Sequence, residues 1–189
     1  MDERRPHVVW FKEVDREDGS LVGGKGANLG EMVGAGFPVP NGFVVTAPAY
    51  FYVLDYNNLR PGIKSLLKGL DVQNSAKLKT ASQRVKQLIR NAKVPSDLAD
   101  SIIKYYLELS RGGSEALVAV RSSATAEDLP GASFAGQQET YLNIKGTANV
   151  VDAIRDAWAS LFEPRAIFYR EQKGFDHFKV GIAVPVQKM

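Results

Sequence analysis

Strand-like and helix-like segments alternate along this sequence, which predicts an α/β (α+β) domain. Three observations carry that prediction. Short β-branched or apolar runs recur at residues 8–11, 42–46, 116–120 and 180–186. Between them lie longer segments with apolar residues at helical spacing. Glycine and proline separate the two kinds of segment, as turn and breaker residues do. At 189 residues the chain fits one domain with a sizeable core.

The elements follow in order. Residues 8–11 read as a short strand, and 15–20 as a polar turn leading into Gly23-Gly24-Lys25-Gly26. A helix is predicted over 27–35, with Leu29, Met32 and Val33 on its buried side. Gly36 suits the left-handed position just past a helix end, and Pro38 prevents continuation. After the strand at 42–46 comes an aromatic-rich helix over 47–57. The next helix, 75–91, carries Leu78, Ala81, Val85, Leu88 and Ile89 on one side. Ser96 is placed to cap another, with Leu98, Ile102, Ile103, Tyr106 and Leu109 inward, stopping at Gly112-Gly113. The apolar strand at 116–120 opens into a polar, glycine-containing loop over 122–136. A strand over 139–143 precedes a helix over 148–162, with Val150, Val151, Ile154, Trp158 and Leu161 inward. Pro164 fits the first turn of a last helix that Gly174 ends. The sequence closes on the strand at 180–186 with no element after it, so a further portion is expected downstream.

Composition narrows the function. Hydrophobic residues make up 44% and charged residues 24%, ordinary for a globular protein. No apolar run has the roughly 18–20 residues needed to cross a bilayer, and the charged start lacks a signal-peptide core. With no cysteine there is no disulfide, thiol nucleophile or thiolate metal site. A cytoplasmic protein is expected. The net charge of +3 is mixed in sign along the chain, and no nucleic-acid motif accompanies it.

Three places could carry chemistry. Gly23-Gly24-Lys25-Gly26 would let backbone approach an anion at a helix start, with lysine adding positive charge. The same four residues also make an ordinary turn. Gly19 to Lys25 matches the first part of a P-loop, but Gly26 stands where Ser or Thr should hold magnesium, and a polar turn precedes it; the P-loop reading is rejected. Arg121 sits where a buried strand emerges, so its guanidinium needs an anionic partner: a ligand phosphate, or one of the 21 acidic residues in a structural ion pair. Ser122, Ser123 and Thr125 offer hydroxyls for phosphate or for turns. The loop from Asp128 to Thr140 has the small-residue composition of a mobile flap or of a plain surface loop. Tyr105, Tyr106, Trp158 and Phe162 read as packing residues. Neither His7 nor His177 has a neighbouring catalytic pattern.

Three long segments, Leu21-Val-Gly-Gly-Lys-Gly-Ala-Asn-Leu-Gly-Glu31, Gly36-Phe-Pro-Val-Pro-Asn-Gly-Phe43 and Val118-Ala-Val-Arg-Ser-Ser-Ala-Thr-Ala-Glu-Asp-Leu129, together resemble the N-terminal domain of the phosphoenolpyruvate synthases (pyruvate, water dikinases). Ala132-Ser-Phe-Ala-Gly-Gln-Gln-Glu-Thr-Tyr-Leu-Asn143 and Trp158-Ala-Ser-Leu-Phe162 extend the match, which runs from Val8 to Met189. The resemblance implies the first portion of an ATP-grasp-type nucleotide-binding domain, a mixed sheet flanked by helices. It implies that Lys25 and Arg121 contact ATP phosphates, with Gly136, Thr140 and Gln187 nearby. The full family reaction turns ATP, pyruvate and water into AMP, phosphoenolpyruvate and phosphate through a phosphohistidine on a separate domain. ATP and Mg2+ are therefore the implied cofactors. The second ATP-grasp portion with the magnesium ligands, the phosphohistidine domain and the pyruvate-binding barrel fall outside residues 1–189. On this reading the chain holds half of a nucleotide site and does not turn over alone. A rifampicin phosphotransferase or a pyruvate, phosphate dikinase would share such a first domain. A stand-alone nucleotide-binding module and a helical docking module are the readings outside enzymology.

Overall fold

A computed structural model describes residues 6–111, 114–125 and 139–189. The α/β class holds. Six strands, β1 (Val8–Trp10), β2 (Gly42–Val45), β3 (Val118–Arg121), β4 (Ser123–Ala124), β5 (Thr140–Ile144) and β6 (Ile182–Lys188), form one sheet in the order β1-β2-β6-β3-β5, with β4 also on β6. Every described pairing is antiparallel, where a mixed sheet was expected. The reason is the place of β6. Strands β2 and β3 each run antiparallel to it and so parallel to one another, joined by a helical crossover. The alternation in the sequence detects that crossover, but β6 slots between its two strands and makes each adjacent pairing antiparallel.

The helices are α1 (Gly19–Gly34), α2 (Ala47–Tyr56), α3 (Leu59–Leu67), α4 (Ser75–Arg90), α5 (Ser96–Leu109), α6 (Thr147–Ala159) and α7 (Pro164–Lys173). Most match the predicted spans within a residue or two. Ser96 is the first helical residue of α5, with Pro95 at the cap position, so it does not cap as expected. Gly36 (φ 79°) and Gly174 (φ 66°) take the left-handed positions past their helices. Helix α3 was not legible because Arg60-Pro61-Gly62 reads as a breaker. Pro61 is the third residue of the helix, within the first turn, where a missing N–H costs no intrahelical bond.

Alternation along the strands gives the sheet two faces. One carries Val8, Phe43, Val45, Val118, Val120, Val184 and Val186, all buried beneath α2 to α7 in the main core. Trp158, Phe162 and Tyr106 are fully buried there. The other face carries Val9, Val44 and Ala183, and α1 packs on it through Val22, Ala27 and Leu29, beside Phe11 and Val14. Met32, expected on the buried side of α1, is 39% exposed. Strand β6 is buried on both faces from Ile182 to Val186, which explains its unbroken apolar run.

One proline shapes the region next to the site. The register of β3 on β6 (Val118 to Lys188, Val120 to Val186) continues unshifted into β4 (Ser123 to Ala183). Between them the ladder is interrupted at Arg121–Ser122, opposite Val184–Pro185. Pro185 has no N–H to donate, so the ladder cannot close there. Ser122 bonds the other way instead, its N–H donating to the Glu139 carbonyl at 3.0 Å.

Candidate functional site

Alternation also collects the predicted residues. Thr140 is the cross-strand partner of Arg121, and Gln187 is the partner of Ala119, two residues before Arg121. Cross-strand partners and i, i+2 neighbours share a face. Arg121, Thr140 and Gln187 therefore all lie on the face that α1 covers only in part. Lys25 reaches it from α1. Gly136 lies outside the described residues, as does most of the expected flap.

Lys25 is held by the residues that follow Arg121. Its backbone N–H donates to Ser123 Oγ at 3.1 Å, and its Nζ donates to the Ser122 carbonyl at 3.3 Å. The glycines around it set the packing of this junction. Gly23 has φ 67° and ψ 167°, a kink inside α1. A Cβ there would stand 2.2 Å from Ser123 Oγ, and one at Gly26 would stand 2.8 Å from Val22 Cβ. Both glycines let the protein pack closely on itself. A first helical segment thus begins at Gly19, and a second follows the kink at Gly23.

Arg121 is half-buried, and its Nε is fully buried with no hydrogen-bond partner among the described residues. None of the ion pairs among the described residues includes it. The structural ion pair left open by the sequence is therefore absent among the described residues. A buried unsatisfied donor costs about 1–3 kcal/mol, more on a charged group, so the Arg121 Nε is left short of an acceptor among the described residues. Thr140 is exposed. Gln187 is half-buried, and its Nε2 reaches the Pro40 carbonyl only at 3.5 Å. Lys25, Arg121, Thr140 and Gln187 line none of the four described clefts.

The hydroxyls of this stretch serve the fold. Ser122 Oγ accepts from the Glu139 N–H at 2.9 Å, and Thr125 Oγ1 accepts from the Gly181 N–H at 3.1 Å. Among the described residues there is no group of three or more His, Asp or Glu that could hold a metal ion. No helix of the described residues is long and apolar enough to cross a membrane.

One polar cluster escaped the sequence reading and lies in the helical layer. Arg170 is fully buried in α7; its Nε donates to His177 Nδ1 at 2.8 Å and its Nη2 to the Leu161 carbonyl at 2.6 Å. Burial pulls its pKa down to about 10. Because the guanidinium only donates, His177 Nδ1 accepts, and the ring proton sits on Nε2, facing Glu171 Oε1 at 2.8 Å. Burial, and then the Arg170 charge, lower the His177 pKa below its ordinary value. His7 stacks on Tyr52 with ring centroids 4.9 Å apart. Both histidines have packing partners.

An antiparallel sheet walled by helices on one face, with a lysine and an under-satisfied arginine on the other, belongs to a class of nucleotide-binding α/β domains. The chain belongs to the family described as pyruvate phosphate dikinase, AMP/ATP-binding domain, whose model matches residues 19–189. It is 54% identical to a probable phosphoenolpyruvate synthase of Methanocaldococcus jannaschii, over 96% of this chain and 16% of that protein. It is also 54% identical to the phosphoenolpyruvate synthase of Aquifex aeolicus, over 100% of this chain and 23% of that protein. The phosphoenolpyruvate synthase of Pyrococcus furiosus is 43% identical over 96% of this chain and 26% of its own length. The chain thus spans between about a sixth and about a quarter of these relatives.

Proposed function

We propose that this chain holds the phosphates of ATP between Lys25 and Arg121, with Thr140, Gln187 and Gly136 beside them. It acts as the first portion of an ATP-grasp-type domain in a phosphoenolpyruvate synthase. The observation that carries this reading is Arg121, a cation at the end of a buried strand whose Nε has no hydrogen-bond partner among the described residues and which makes no ion pair among them. A guanidinium presents paired N–H donors that match phosphate oxygens, and the lysine ammonium adds a point charge. Phosphoryl transfer is catalysed chiefly by such positioning and charge neutralisation.

In the full-length protein the activity is conversion of ATP, pyruvate and water to AMP, phosphoenolpyruvate and phosphate, in the cytoplasm. The remaining ATP-grasp portion, the phosphohistidine domain and the pyruvate-binding barrel supply what residues 1–189 lack, magnesium ligands included. Three relatives named phosphoenolpyruvate synthase, each far longer than this chain, support that assignment over a rifampicin or phosphate acceptor. Acceptor choice rests with the absent domains.

Titration calorimetry with ATP tests the site in this chain and in the full-length protein. Lys25→Ala and Arg121→Ala are each expected to weaken binding about 10- to 100-fold, the worth of a charge-assisted hydrogen bond of about 1.5–3 kcal/mol. Unchanged affinity in both variants of the full-length protein would overturn the assignment.

A further inference from the structure

Helix α1 has two starts. Gly23 leaves helical geometry at φ 67° and ψ 167°, so a second helical segment begins after it. In that segment Gly23 stands at the cap position, Gly24 first and Lys25 second. A capping side chain ordinarily accepts the N–H of the second or third helical residue, and Gly23 has no side chain to do so. Ser123 Oγ, 98 positions away on β4, takes that N–H at 3.1 Å. Ser123 is fully buried and in register with Ala183, so its hydroxyl is fixed by the sheet. Gly23 is what admits it, since any Cβ there would stand 2.2 Å from that oxygen.

From this geometry we infer that Ser123 is the positioning residue for Lys25: it caps the helix from another strand and sets where the lysine stands relative to Arg121. The first turn concerned is Gly24-Lys25-Gly26, and glycine is among the poorest helix formers. Such a turn holds its shape only with outside support. The support comes from the two residues that follow Arg121, because the Ser122 carbonyl also accepts from Lys25 Nζ. The register of β3 on β5 and β6 fixes Arg121, and the same chain segment then fixes Lys25. The inference rests on the reading of Lys25 and Arg121 as phosphate contacts, and it adds a residue that touches no phosphate.

The test uses Ser123→Ala, alone and combined with Lys25→Ala, with two readouts. Amide hydrogen exchange at Lys25 is expected to quicken about fivefold or more in Ser123→Ala, the loss of one cap, while the Val85 amide in the core keeps its rate. ATP affinity, by calorimetry on the full-length protein, is expected to fall about fivefold in Ser123→Ala and to show no further fall when Lys25 is already alanine. An unchanged exchange rate at Lys25 overturns the cap. An equal loss of affinity with and without Lys25 overturns the positioning role. Should Lys25→Ala leave ATP affinity intact, the phosphate reading fails, and the Lys25 exchange rate still decides the cap. Ser123→Cys keeps the shape of the side chain with a weaker acceptor and carries the same measurements if the alanine variant does not fold.

Discussion

Replacing Gly23 by alanine puts the junction of α1 and β4 under a direct load. The backbone at φ 67° and ψ 167° belongs to a region that L-residues rarely occupy, and holding alanine there costs about 1–3 kcal/mol. The added Cβ would also lie 2.2 Å from Ser123 Oγ, 2.5 Å from its carbonyl oxygen and 2.8 Å from its carbonyl carbon. Two of those atoms are backbone of a strand paired to β6, so they have little room to retreat, and overpacking of this kind costs a further 1–3 kcal/mol, roughly. The expected destabilisation is about 2–6 kcal/mol in total, against about 5–15 kcal/mol for a typical domain. Gly34→Ala is the control: nothing lies within 4 Å of a Cβ there. It should change stability by about 1 kcal/mol or less. Urea unfolding followed by circular dichroism measures both. A loss below about 1 kcal/mol at Gly23, or equal effects at the two sites, would refute the close-approach argument. Adding Ser123→Ala to Gly23→Ala should recover only part of the loss, because the carbonyl contacts remain.

Stability should also fall as the solution is acidified. His177 is kept neutral by burial and by Arg170, so its folded pKa lies below the unfolded value near 6.5. A depressed pKa means the unfolded chain takes up the proton first; the stabilisation is full above pH 6.5 and is lost as pH falls through the folded value. Urea midpoints measured between pH 7.5 and 5 should decline, and His177→Gln should flatten the part of the slope that His7, also lowered by burial, does not supply. Tyr106→Phe should cost about 1–3 kcal/mol by thermal unfolding. The phenol donates to the Ala116 carbonyl at 2.8 Å and accepts the Gly146 N–H at 2.9 Å, and the variant strands both groups. A loss under about 0.5 kcal/mol would show that water replaces the hydroxyl.

How much was legible beforehand depends on the range of the forces involved. Helices α4, α5 and α6 could be read because their apolar spacing is a local property of about fifteen residues. Arg121 stood out for the same reason, a charge at the end of an apolar run. Arg170 did not, because nothing local announces that α7 buries one of its charged residues. Its hydrogen-bond acceptors are a histidine seven positions on and a carbonyl nine positions back, brought together by the turn after Gly174. The glycines at 23 and 26 were noticed, but the close packing they permit was not. Their need for space is visible in sequence, whereas the atoms that crowd Gly23 come from Ser123 on a strand far along the chain.

The sequence by itself determined the α/β class, nearly all the helices, the two cationic candidates and the family resemblance, since periodicity, punctuation and ordered motifs are written along the chain. Only the tertiary structure decided that β6 lies between β2 and β3, making the sheet antiparallel. It also decided that Arg121, Thr140 and Gln187 share a face, and that Ser123 caps the turn carrying Lys25. These are questions of register and of close approach between distant segments. They are settled when burial of the two sheet faces selects one alignment of the strands, and no stretch of sequence holds that information alone.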